Sequence, residues 1–159
     1  MIRTILLSLP LLLVSQSAWA SDRNTTGSSA VALAGVVAPY SPTLAAPDKA
    51  AMASIFDGGN PDVPAGKKIT VVAESIACFA SHVAINEFHC NLAFGNATTK
   101  VTGRKANEIY AALMEAGVPP DAGAGTSYEA LTELRCTIDP DVIKKQEGGG
   151  ASCSFATSP

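Results

Sequence analysis

The sequence predicts an α+β protein, a four-stranded and mainly antiparallel sheet with one helix packed on it. Three observations carry this. Two strand-like stretches precede a single strongly amphipathic helix, and two more follow it. The four cysteines all fall inside those strand-like stretches. The order β-β-α-β-β is the pattern of a helix laid on one face of a small sheet.

Lys67 to Cys78 is rich in β-branched residues and lacks a helical period, so it reads as the first strand. His82 to Phe94 reads as the second. Its alternation sends Phe88, Cys90, Leu92 and Phe94 to the face expected to meet the core. The turn between them is placed near Ala80 to Val83, where no Asn-Gly or Asp-Gly marks it.

The helix spans Gly103 to Ala116. Thr102 stands at the cap, and Ala106, Ile109, Tyr110 and Leu113 recur at i, i+3, i+4 and i+7. Gly117 supplies a stop, with Val118 placed to pack back on Leu113, and Pro119-Pro120 prevents continuation. A glycine-rich loop, Asp121 to Ser127, leads to a third strand at Thr132 to Ile138, with Leu134, Cys136 and Ile138 on one face. Asp139-Pro140 ends that strand, Asp141 to Gly150 reads as a mobile polar loop, and Ala151 to Phe155 forms the last strand. No internal repeat is evident.

This domain, residues 65–159, is preceded by two segments of different character. Residues 1–20 have the order of a secretory signal peptide: Arg3, an apolar run from Ile5 to Val14, and the A-x-A site Ala18-Trp19-Ala20. The run is half the roughly twenty residues a membrane span needs, and no second long apolar run follows. Cleavage after Ala20 leaves ten basic against fourteen acidic residues. Residues 21–64 read as a flexible Ala/Pro-rich segment. Pro39, Pro42 and Pro47 interrupt it, and it holds one short helix near 48–56 that docks Met52, Ile55 and Phe56.

Composition narrows the function. The chain has 159 residues, 47% hydrophobic and 16% charged, and a net charge of −3. That is too apolar for a disordered chain and lacks the basic stripe of a nucleic-acid binder. An even cysteine count in an exported chain reads as two disulfides, and four cysteines allow three pairings. The strand order favours Cys78 with Cys90 and Cys136 with Cys153. The gaps are too long for the paired cysteines of a zinc site, so neither a metal nor another cofactor is expected. The placement is periplasmic or secreted.

Two constellations invite a functional reading. Glu87 and His89 share a strand face, where a carboxylate could orient an imidazole as a general base. No nucleophile motif accompanies them. His82 and His89 point to opposite faces and cannot share a metal. The loop residues Gly123, Gly125, Thr126, Ser127 and Tyr128 lack the G-K-[ST] of a phosphate cradle but suit a recognition loop. The expectation is a non-enzymatic exported binding module for a protein or small ligand, inhibitor-like in one form. The alternatives are a small hydrolase using His89 and Glu87, or a passive envelope component.

Overall fold

Alternating and β-branched stretches set the sheet. A computed structural model describes residues 21–80, 88–118, 127–145 and 149–157. Its strands are β1 (Ser21–Thr26), β2 (Ile69–Ala80), β3 (Phe88–Phe94), β4 (Ala97–Thr102), β5 (Ser127–Ile138) and β6 (Ala151–Thr157). They form one antiparallel sheet in the order β1-β6-β5-β2-β3-β4. Its helices are α1 (Gly27–Val37), α2 (Ala46–Phe56), α3 (Gly103–Glu115) and α4 (Pro140–Lys144), with a 3-10 turn at Ala38–Tyr40.

The fold is α+β, as expected, but the sheet has six strands rather than four, and four helices are described rather than the one packed helix and the short helix near 48–56. One missed strand is β4. The stretch after Phe94 turns back through Gly95-Asn96, with Phe94 paired to Ala97. Gly95 has φ 63°, which suits the first central position of a two-residue II′ hairpin. The second strand is described only from Phe88, and the expected turn near Ala80 to Val83 falls largely outside the described residues.

The other missed strand and two of the helices come from the segment expected to be flexible. In α1, Ala30, Leu33, Ala34 and Val37 recur at i, i+3, i+4 and i+7, and each is fully buried. The helix ends two residues before Pro39, as proline requires. The predicted short helix is α2, which buries Ala51, Met52 and Ile55 but leaves Phe56 42% exposed. Asp48 in its first turn forms an ion pair with Lys67 at the entrance to β2. The loop expected after Ile138 holds α4, where Asp139 Oδ1 accepts from the N–H groups of Asp141 (3.2 Å) and Val142 (3.3 Å).

Both disulfides have the favoured pairing. Cys78–Cys90 joins β2 to β3, and Cys136–Cys153 joins β5 to β6, each between residues directly opposite in the ladder. These cysteines lie on the buried sheet face together with Val71, Leu92, Leu134 and Ile138. Helices α1 and α3 cover that face, contributing Leu33, Val37, Ile109 and Leu113 to one core.

The chain also repeats itself. Elements β1-α1-β2-β3 and β4-α3-β5-β6 are two strand-helix-strand-strand halves, and exchanging them reverses the sheet order onto itself. Each half lends its first strand to the other, β1 to β6 and β4 to β3. Thr26-Gly27 opens α1 and Thr102-Gly103 opens α3, with φ 65° and 63° at the glycines. That left-handed turn carries the chain from strand into helix without a connecting loop. Cys153 Sγ lies 3.5 Å from the Ala30 carbonyl oxygen, and Cys90 Sγ lies 3.5 Å from that of Ala106. Each disulfide therefore sits under the first turn of one helix.

Candidate functional site

The pseudo-twofold axis passes between β2 and β5, where both strands break their alternation. On β2 the buried residues are Ile69, Val71 and Ala73, and then Ile76 and Cys78; on β5 they are Leu131, and then Leu134, Cys136 and Ile138. Ala73 pairs with Leu134 and Ser75 with Thr132, so Glu74 stands opposite Glu133. Against β6 the register shifts between Thr132 and Arg135, which makes β5 bulge there. Glu133 has φ 56°, the one non-glycine residue with positive φ among those described. A glutamate in that region carries strain of order 1–2 kcal/mol.

Beside this bend the sheet is notched. Strand β3 reaches only as far as Ala93 opposite Ser75, and its hairpin with β4 turns at Gly95-Asn96. Residues 69–74 of β2 therefore pair with β5 on one side and with no described strand on the other. The 4.0 Å Cα separation of Cys136 and Cys153 marks them as a narrow, non-hydrogen-bonded pair. Cys136 thus directs its main-chain groups toward β2, where Val71 is its partner. By alternation, Thr70, Val72 and Glu74 direct theirs out of the sheet, into the notch. No described main-chain hydrogen bond from a loop or turn reaches them.

Adjoining the notch, a cavity of about 690 Å³ lies over the exposed face of the sheet. Val72 and Glu74 on β2, Glu133 and Arg135 on β5 and Ser154 on β6 form its floor, with Phe94 and Thr43 beside it. Among the described residues no ion pair engages Glu74, Glu133 or Arg135. Notch and cavity thus combine exposed backbone donors and acceptors, an aromatic wall, and uncommitted charges of both signs.

A second, smaller cleft of about 260 Å³ opens where α1, α2 and α3 meet, lined by Gly35, Tyr40, Phe56, Asp57, Lys105 and Glu108. Lys105 Nζ donates to Glu108 Oε2 at 2.8 Å, and Arg104 Nε lies 3.3 Å from Oε1. The hydrogen bond from Lys105 holds the Glu108 carboxyl below its ordinary pKa, and the same bond raises that of Lys105. The pair closes on itself at the surface.

The residues singled out from the sequence lie elsewhere. His89 stacks on Phe79 across the β2–β3 ladder, with ring centroids 5.1 Å apart. Glu87 and His82 lie outside the described residues, as do Gly123, Gly125 and Thr126. Ser127 and Tyr128 are the first two residues of β5, in register with Phe79 and Cys78, rather than part of a loop. No group of three or more His, Cys, Asp or Glu among the described residues is placed to hold a metal ion. Sequence reasoning missed Glu74, Glu133 and Arg135. Two acidic residues at the points where alternation breaks were the available signal.

Fold and notch together define a pseudo-symmetric α+β domain of two strand-helix-strand-strand halves that carries an open strand edge. Comparisons with protein-family models, with curated proteins and with solved structures found no match.

Proposed function

We propose that this chain is an exported binding module, held rigid by its two disulfides, that takes up a protein segment or small ligand in the notch beside β2. The observation that carries the reading is the cavity lined by Val72 and Glu74, beside the stretch of β2 from Ile69 to Glu74 whose outer side meets no described strand. Backbone strain persists where the surrounding structure holds it, and it gathers at binding sites; Glu133 is such a residue at the rim. Disulfides suit a module of this kind because a prearranged surface loses little entropy on binding. Export is supported by those bridges and by the A-x-A site. The pairing of β1 with β6 includes Ser21, the residue that cleavage after Ala20 would make the first. Among the described residues no helix is long and apolar enough to cross a membrane.

Protein recovered from outside the cytoplasm should have an intact mass beginning at Ser21. Its amide spectrum, titrated with pools of small metabolites and of short peptides, should shift at Val72, Glu74 and Arg135 for at least one pool. Silence across every pool would favour a passive component. Turnover of a substrate that is lost in His89→Ala would favour a hydrolase.

A further inference from the structure

The edge of β2 has the geometry of a missing strand. Free strand edges are usually blunted by charge or irregularity, because any extended chain can pair with them. The outer edges of this sheet follow that rule: β1 carries Asp22 and Arg23, and β4 carries Lys100. The stretch Ile69-Thr70-Val71-Val72-Ala73 carries no charge until Glu74. Its last residues, Val72 to Glu74, border the cavity, with the β3–β4 turn and Thr43 beside them.

We infer that the notch binds an extended peptide segment of another protein by strand addition along Thr70 to Glu74, with a basic side chain of the peptide placed over Glu74 and Glu133. Peptides bound this way take affinity from main-chain hydrogen bonds and specificity from pockets that receive alternate side chains. Five residues of β2 span about 17 Å, so the recognised core is about five residues long. Across the bend two carboxylates stand against the single guanidinium of Arg135, which leaves net negative charge for a Lys or Arg of the ligand to meet. Phe94 offers an apolar wall to the side chain next on that face. The inference rests on the binding-module reading and narrows its ligand.

A phage-displayed library of linear heptapeptides, panned on the oxidised protein, supplies the probe. Selected peptides should carry a basic residue at a fixed position. N-methylation of successive peptide amides should weaken binding tenfold or more at every second position and leave the positions between unchanged. The amides of Thr70, Val72 and Glu74 should gain protection from hydrogen exchange in the complex. Val72→Pro removes a donor that no described strand uses and should abolish binding; Glu74→Lys keeps the backbone and should weaken basic peptides at least fivefold. Should Val72→Pro fail to fold, the N-methyl series and Glu74→Lys still decide.

Binding without the alternating pattern, or protection appearing on β1 or β4, overturns strand addition. Protection of the same amides by raising protein concentration alone assigns the edge to a second copy and overturns it too. Small molecules that bind the notch when no peptide does overturn strand addition and leave the binding module standing. No binding of either kind overturns both.

Discussion

Phe56, the last residue of α2, lies across Gly35 of α1. A Cβ built on Gly35 would stand 2.8 Å from Phe56 Cγ and 3.0 Å from its Cβ. The ring can rotate but its Cβ cannot withdraw without moving α2, so the contact sets how closely the two helices approach. Gly35→Ala gains about 1 kcal/mol of helix propensity and loses about 1–3 kcal/mol to overpacking. The clash should win, and denaturant unfolding should show net destabilisation. Adding Phe56→Ala should remove the penalty; additive effects of the two changes would sink this account.

Each disulfide closes a short loop, with sequence separations of 12 and 17. On the chain-entropy argument each contributes about 3 kcal/mol by restricting the unfolded chain. Replacing Cys136 and Cys153 together by Ala should lower Tm by roughly 10 °C. The same change at Cys78 and Cys90 should have a similar effect, because the two bridges occupy equivalent places in the two halves. Calorimetry of both double variants checks this, and sharply unequal losses would deny the equivalence.

Glu133 should be replaceable by glycine with a gain in stability. The change relieves about 1–2 kcal/mol of left-handed strain and adds about 0.5–1 kcal/mol of unfolded-chain entropy. A net gain of up to about 1.5 kcal/mol is expected from chemical denaturation. A clear loss would mean that the glutamate side chain holds the bulge in place.

Glu108 should titrate below an ordinary glutamate, since Lys105 hydrogen-bonds its charged form and Arg104 adds attraction. A carboxyl with a lowered folded pKa stabilises the fold above its unfolded pKa, and that contribution fades as pH falls through the folded value. For Lys105, raised by the same bond, the contribution is present below the unfolded pKa and fades as pH rises through the folded one. Carbon-detected NMR titration should place Glu108 low in the wild type and higher in Lys105→Met. An unchanged Glu108 in that variant would count against the hydrogen bond as cause.

Ser21 pairs with Thr157 where β1 meets β6, the place that the Gly95-Asn96 turn occupies between β3 and β4. A circular permutant that joins Thr157 to Ser21 through Gly-Asn and opens at Gly95-Asn96 should fold with both bridges, since loop tips tolerate such cuts. Circular dichroism and disulfide mapping read the outcome. A permutant that cannot fold would show that the two halves are not interchangeable.

Helix α3 was legible because its buried Ile109 and Leu113 contrast with Arg104, Lys105 and Glu108 on the other side. Helix α1 has the same periodic stripe at Ala30, Leu33, Ala34 and Val37, but Ser, Val and Ala on its other faces remove the contrast. The prolines that follow then suggested a loose segment. Comparing Thr26-Gly27-Ser28-Ser29-Ala30 with Thr102-Gly103-Arg104-Lys105-Ala106 reveals the repeat. So does comparing Cys90-Asn91-Leu92-Ala93 with Cys153-Ser154-Phe155-Ala156. Short matches separated by unequal connections are hard to see without the strand pairing that aligns them.

Burial side is written locally. A strand's alternation or a helix's 3.6-residue period states which face turns inward, so the sequence alone determined the α+β class, the inward faces of β3, β5 and β6 and the helix α3, and favoured one of three cysteine pairings that the structure then showed. Strand neighbours are decided otherwise. Every strand offers the same main-chain donors and acceptors, so local pattern does not say which edge meets which; that choice falls to the packing of the whole core. Only the tertiary structure placed β1 beside β6, ended β3 at the hairpin before β4, and brought Glu74 opposite Glu133. The open edge of β2 follows from those pairings, because an unpaired edge is a property of what the other strands leave uncovered.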